Sequence, residues 1–453
     1  MTQRRGLLDF ERCGTRAGAS RRLLRGRNLH AQPDTGAMAS KGGQEFTDCN
    51  EYDSETMFAE RPAEEHPSEE AVQPGSLPAT PRASSLDVPF ASPATFRLVE
   101  LLGQGSYGEV WLAVSRASDS QFVIKRLHRY PFARNHELER WRLWNAPSSN
   151  AAPIDYAERE RELVSQIPPH PNLVQCIAWL PWSFPEEANE AGLGSEGVEP
   201  DLALVMERGY PLAHLFQRDQ NLVSDSLWLR LIRVVCRALF SALAHLHAHG
   251  FVHRDIRLDH VLSRVDPEAL GLSLQAGRLP QAETFFLCDY SLLRRCSANT
   301  DADGASSPTL TYAPMRSPEL YFGETRRLPS SDIWAAGCVL LELLFRQAGE
   351  PVFDCGTGTA MSELRSLKTV FDLLGNPPEC FKQQPLAPAS HTESVSSPHG
   401  SDNIAARIHR CWNNDVDQDV IEQAIDLVQR LLDYCEARRP TAVQVLEHPF
   451  LQI

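Results

Sequence analysis

The chain falls into two patterns. Through residue 94 the apolar residues follow no period. Residues 1–30 are rich in arginine with only Asp9 and Glu11 opposing, residues 45–70 turn acidic, and a Pro/Ser/Ala-rich stretch runs through Pro93. Such composition cannot bury enough apolar surface to offset the entropy of ordering, so residues 1–94 read as a disordered tail. An organelle transit peptide shares the composition of the first thirty residues, but a plain basic tail is the simpler reading. From Phe96 onward the pattern changes. Residues 96–102 read as a strand, glycines punctuate residues 103–110, and residues 122–125 form a short apolar strand ending in Lys125. Leu163, Val164 and Ile167 put one buried face on a helix across residues 156–167. A strand is predicted at 202–206, a long amphipathic helix at 228–249, and closing helices across 420–450.

Composition narrows the function. With 453 residues, two or three domains are the prior, and 42% hydrophobic residues suffice for a sizeable core. A net charge of −15 argues against nucleic-acid binding, which needs a basic surface. Eleven cysteines without a C-x-x-C pair read as free thiols of a reducing compartment, nucleus or cytoplasm. The longest apolar run, residues 333–345, is interrupted by Glu342 and too short to span a bilayer, so no membrane is expected.

Four stretches carry candidate chemistry. In Gly103-Gln104-Gly105-Ser106-Tyr107-Gly108-Glu109-Val110 the glycines let a hairpin approach phosphates with its backbone N–H groups. A plain glycine turn would look the same, but a position between strands excludes the dinucleotide-binding version, which opens a helix. Lys125 ends the strand that follows. Residues 251–262 contain His253-Arg254-Asp255, and Asp289 follows at Cys288-Asp289-Tyr290-Ser291. Each is weak alone.

Together and in order they resemble a eukaryotic protein kinase from about residue 96 to 453. Ser317-Pro318-Glu319 is similar to that family's Ala-Pro-Glu signature, and residues 332–338 to the buried helix beyond it. Arg439-Pro440-Thr441 resembles the late segment whose arginine pairs with that glutamate, which implies a structural Glu319–Arg439 contact. Arg316 and residues 364–378 resemble the cyclin-dependent and mitogen-activated (CMGC-like) group of the Ser/Thr type. The resemblance implies an α+β, two-lobed protein-kinase fold. A small antiparallel β-sheet lobe with one helix would span residues 95–207, and a larger, mainly helical lobe residues 208–453. Insertions fall near 130–153 (with a short helix at 136–144), 183–200, 266–281 (read as a hairpin) and 385–402.

The resemblance also implies roles. The chain would transfer the γ-phosphate of ATP, with Mg2+ or Mn2+, to hydroxyls of a protein substrate. Asp255 would accept the hydroxyl proton, Lys125 and Glu160 would fix the phosphates, and Arg257 would place positive charge near them. Glu160 is preferred because it lies one turn before Val164 on the buried face, with Glu158 and Glu162 as alternatives. Leu102, Gly103, Gln104, Gly105, Ser106, Tyr107, Gly108, Val110, Met206, Glu207 and Arg208 would surround the nucleotide. Asp289 and His260 would meet the metal. Thr309 and Thr311 lie in a polar activation segment where phosphate could pair with Arg254, placed by an activating kinase or joined by a regulatory subunit.

Four positions depart from the family pattern. His260 stands for the catalytic-loop Asn, Arg257 for its Lys, Ser291 for the Gly of Asp-Phe-Gly, and Tyr312 for a substrate-site Thr. They keep a second reading open, a pseudokinase that binds nucleotide as a signalling scaffold. Lys125, Asp255 and Asp289 favour the enzyme.

Overall fold

The structure is a computed structural model. It describes residues 88–105, 107–129, 155–183, 201–218, 223–297, 311–322, 324, 326–345, 352–353, 360–375, 377–378, 400–412 and 416–452. The insertion at 130–153 with its helix, nearly all of 183–200, and most of 1–94 and 385–402 lie outside these residues.

Five antiparallel strands build the first lobe: β1 (Phe96–Gly105), β2 (Gly108–Ser115), β3 (Gln121–Leu127), β4 (Cys176–Pro181) and β5 (Leu202–Glu207), in the order β1-β2-β3-β5-β4. Both faces of the central strands are buried, which is why β3 and β5 read as apolar runs rather than alternating ones. Ile124 and Val205 face a small core with Phe96, Ala113, Leu180 and Trp182, while Val123, Leu204 and Met206 face the main core. Helix α1 (Tyr156–Val164) joins the main core through Ala157 and Val164. Asp155 caps it by accepting from the Glu158 N–H, and it ends three residues before the predicted limit.

The tail boundary is corrected. Residues 88–91 lie along β4, with Ala91 N–H donating to the Trp179 carbonyl and Trp179 N–H to that of Pro89. Ser92 then caps a 3-10 turn at Pro93–Thr95. Ordered chain therefore begins at least eight residues before Phe96, because an edge strand offers unpaired backbone groups to any adjacent segment.

The second lobe is arranged around two helices. A short strand β6 (Tyr210–Pro211) and helix α2 (Leu212–Arg218) lead into α3 (Asp225–Ala248), capped by Ser224. Strands β7 (Phe251–Val252), β8 (Val261–Ser263), β9 (Phe285–Leu287) and β10 (Arg294–Arg295) frame the loops that follow: β8 pairs with β6 and β9, and β7 with β10. The expected hairpin at 266–281 is instead helix α4 (Pro267–Gln275). Its Asp266 accepts from the Glu268 and Ala269 N–H groups, Pro267 takes the first turn, and Leu270 and Leu274 are buried one turn apart. After α5 (Pro318–Tyr321), helix α6 (Pro329–Leu344) is buried on every side from Asp332 to Leu344. Helices α7 (Ala360–Leu374), α8 (Gly400–Cys411), α9 (Gln418–Leu431) and α10 (Ala442–Leu446) close the lobe. Helix α8 thus begins inside the stretch read as loose. Among the described residues no helix is long and apolar enough to cross a membrane. Six of the described cysteines are free thiols.

Glu319 and Arg439 meet as anticipated. Two parallel hydrogen bonds of 2.7 Å join them, both side chains are buried, and the guanidinium lies over the Trp334 ring. Removing one partner leaves an uncompensated buried charge. Arg439→Met should therefore lower unfolding free energy by about 3–5 kcal/mol in denaturant titration, and pairing it with Glu319→Gln should restore part of the loss.

Glu342 on α6 is a second buried acid, with one oxygen lacking a hydrogen-bond partner. Burial pushes its carboxyl up to about 9, Asp259 adds to this and Arg257 opposes it. The unfolded chain ionises this group near its ordinary value, so it contributes stability that falls as pH rises from about 4.5 toward about 9. Glu342→Gln should flatten that decline, read as a shrinking then reversing stability difference between variant and wild type from pH 5 to pH 9.

Candidate active site

The β1–β2 hairpin overhangs the cleft, with Gly103 paired to Val110, Gln104 to Glu109 and Gly105 to Gly108. A Cβ at Gly108 would lie 2.0 Å from the Arg126 carbonyl oxygen, so glycine is required for β2 to approach β3. Gly103 and Gly105 have open space beside them, as a phosphate cradle needs. Ser106 lies outside the described residues. Tyr107 turns inward against Tyr156, ring centroids 6.0 Å apart, and burial raises its hydroxyl pKa. Leu102 is half-exposed and Val110 packs against the core. Met206 is buried beside Val123. Glu207 is paired with Arg264 at 2.8 Å and accepts from the Gln175 N–H, while Arg208 lies over Tyr210. With both side chains so engaged, these two residues can offer a ligand their backbone only.

Lys125 on β3 donates to Glu160 Oε1 at 3.0 Å, Asp289 Oδ1 at 2.8 Å and Ser291 Oγ at 2.6 Å. Burial alone would depress the ammonium, but Asp289 and then Glu160 hold it above its ordinary value. Burial likewise pushes Asp289 upward. Lys125, then His260, with hydrogen bonds from Lys125 and Ser291, instead keep that carboxylate well below the usual range. Glu158 bonds Arg161 on the helix surface, which leaves Glu160 as the helix acid that reaches Lys125.

The catalytic loop is fastened from below. Asp332 on α6 accepts the His253 and Arg254 N–H groups at 2.8 Å each, and the His247 ring at 3.0 Å. His253 donates through Nε2 to the Cys288 carbonyl and accepts the Asp255 N–H at Nδ1. Burial lowers its pKa to about 4, keeping it neutral so that this pairing holds. Asp255 is raised by burial, with His260 opposing, which favours a proton acceptor over a permanently ionised acid.

His260 Nδ1 donates to the Asp255 carbonyl at 2.8 Å, and its Nε2 lies 3.6 Å from Asp289 Oδ2. One ligand atom from each of Asp255, His260 and Asp289 lies within 4.8 Å of the others, a donor set that fits a divalent cation. Arg257 pairs with Asp259 and lies 4.4 Å over the Tyr312 ring, so two of the departures from the family pattern touch each other. Thr311 is not an accessible hydroxyl: it is 7% exposed, and Arg316 holds its carbonyl at 2.8 Å. Thr309 lies outside the described residues.

Two participants were missed in the sequence. Ser291 figures in the sequence only as a departure from the glycine of Asp-Phe-Gly, yet its hydroxyl bridges Lys125 and Asp289. Arg294 joins Arg254 in a buried basic cluster. Burial lowers Arg254 to about 10, and burial together with Arg159 and Arg254 lowers Arg294 to about 9. The basic character of β10 was the available signal for Arg294.

Residues 96–451 match the protein kinase domain. Glycogen synthase kinase 1 of Pyricularia oryzae is 26% identical over 355 residues, covering 78% of this chain and 71% of that protein. Protein kinase gsk3 of Schizosaccharomyces pombe is 26% identical over 357 residues, covering 78% and 72%. Mitogen-activated protein kinase 15 of Mus musculus is 24% identical over 356 residues; the match covers 78% of this chain but only 52% of that protein. With the sheet, the Lys125–Glu160–Asp289 constellation and the loop of Asp255 in one cleft, the chain belongs to the protein kinase family, within the serine/threonine group of the glycogen synthase and mitogen-activated kinases.

Proposed function

We propose that the chain transfers the γ-phosphate of ATP, held with a divalent cation, to serine or threonine hydroxyls of protein substrates. The observation that carries this reading is Lys125 within 3.0 Å of Glu160 and 2.8 Å of Asp289, with Asp255 on the adjoining loop. Bound ATP supplies the phosphoryl group, and its cation neutralises charge on the phosphate oxygens. Lys125, oriented by Glu160, binds phosphate oxygens in exchange for one of its present acceptors. Asp289 would hold the cation through a carboxylate oxygen. Asp255 orients the substrate hydroxyl and takes its proton. Glycine-loop N–H groups line the phosphates, and Met206 and the backbone of Glu207 and Arg208 border the base. Arg254 and Arg294, two desolvated guanidinium groups, suit a phosphate carried by the activation segment, the work of an activating kinase.

Full-length protein incubated with γ-labelled ATP and a generic Ser/Thr protein substrate should transfer phosphate. Lys125→Met and Asp255→Asn should each reduce the rate at least a hundredfold without lowering the melting temperature by more than a few degrees. Unchanged transfer by Asp255→Asn would refute the role given to Asp255. Nucleotide binding without transfer by the wild type would favour a scaffold instead.

A further inference from the structure

The two oxygens of Asp289 are used differently. Oδ1 accepts from Lys125 Nζ at 2.8 Å, Ser291 Oγ at 2.7 Å and Ser291 N–H at 3.1 Å, which occupies its lone pairs. The hydroxyl exists because serine stands where the family motif has glycine. Oδ2 makes none of these bonds and faces His260 Nε2.

The tautomer of His260 follows from its other nitrogen. Nδ1 lies 2.8 Å from the Asp255 backbone oxygen, an atom that can only accept, so Nδ1 carries the hydrogen. In the neutral ring Nε2 is then a lone pair aimed at Asp289 Oδ2. Two acceptors 3.6 Å apart are too distant for a hydrogen bond and gain nothing from each other. A cation about 2.1 Å from each would subtend roughly 110–120° and satisfy both. A metal-bound histidine whose far nitrogen donates to a backbone carbonyl is a recurrent arrangement that fixes the ring.

We propose that Asp289 Oδ2 and His260 Nε2, beside the Asp255 carboxylate, form a single-ion centre selective for a divalent transition-metal ion such as Mn2+ over Mg2+. Magnesium demands a near-ideal octahedron and dehydrates reluctantly, whereas imidazole is a ligand of first-row transition ions, the series to which Mn2+, itself suited to carboxylate, belongs. Kinases ordinarily spread two Mg2+ ions over the Asp and the Asn. In the nucleotide-free site Oδ1 is engaged by Lys125 and Ser291, which leaves one oxygen and one nitrogen for one ion. The inference deepens the nucleotide-site reading and rests on it for its purpose, but ion binding can be read without ATP.

The test is titration of the full chain with Mn2+ in the absence of nucleotide, following the free-ion signal by electron paramagnetic resonance. Wild type should bind one Mn2+ per chain and retain it against at least a tenfold excess of Mg2+. His260→Asn should still fold by circular dichroism but lose at least tenfold of that preference. Electron spin-echo modulation on protein with 15N-labelled histidine should show a coupled nitrogen in the wild type and none in His260→Asn. Failure to bind Mn2+, binding without nitrogen coupling, or an unchanged preference in His260→Asn would each overturn the proposal. An imidazolium that itself neutralises Asp289 would give the last two results. A chain with nitrogen-coupled Mn2+ but no phosphotransfer would refute only the proposed activity, and an active chain without the coupling only this centre.

Discussion

The cleft depends on one buried carboxylate. Asp332 sits inside α6, where an unpaired charge would be prohibitive, and is kept ionised by three donors from outside its helix. Burial alone would raise its pKa, but the hydrogen bond from His247, with the N–H groups of His253 and Arg254, carries it below the ordinary value. Two successive N–H groups can converge on its oxygens because Arg254 adopts a φ of +72°, a left-handed conformation that a non-glycine residue holds only where its surroundings demand it. The chain is bent there, and Asp255 projects into the cleft as a consequence. From the same turn His253 reaches the Cys288 carbonyl, and Cys288 N–H returns to the His260 carbonyl. The two aspartates are therefore positioned by one hydrogen-bonded unit anchored in the most buried helix.

Lys125 ties the small lobe to that unit. Its ammonium and Glu160 are buried, and Asp289, partly exposed, completes the charge balance of the set. Asp289 has a φ of +68°, and its turn is closed by the Ser291 N–H and hydroxyl. Backbone strain at this aspartate is thus held by side-chain bonds within its own turn, and that at Arg254 by the Asp332 carboxylate, on both sides of the position where reactants would meet.

Much of this was legible in the sequence where a residue's environment is set by local period. Val123 and Ile124 face opposite cores because strands alternate, and Glu160 faces Lys125 because it shares a helical face with Val164. Gly108 was legible as glycine, although its reason, the approach of the Arg126 carbonyl, belongs to tertiary structure. The hairpin expectation at 266–281 rests on extra length between two motifs and overlooks Asp266-Pro267-Glu268, the helix-start signal of α4. The docking of residues 88–91 had no periodic signal at all: backbone groups of a Pro-rich segment pair with a strand edge, and side chains do not announce it. The Ser291 bridge could not be read from spacing, since it requires Lys125, 166 residues away in sequence, to be adjacent.

The departures from the family pattern are not four independent defects. Arg257 lies on Tyr312 and pairs with Asp259, so the replaced lysine and the replaced threonine fill each other's environment. Ser291 engages the same Asp289 that His260 faces, one at each oxygen. A site released from catalytic demand would accumulate substitutions that leave buried charges without partners, because nothing would select their compensation. Here each altered side chain is bonded or stacked, and Lys125, Glu160 and Asp289 keep contact at 3.0 Å or less along the Lys125 ammonium. The chemistry of the cleft is better described as rearranged around a nitrogen donor than as lost.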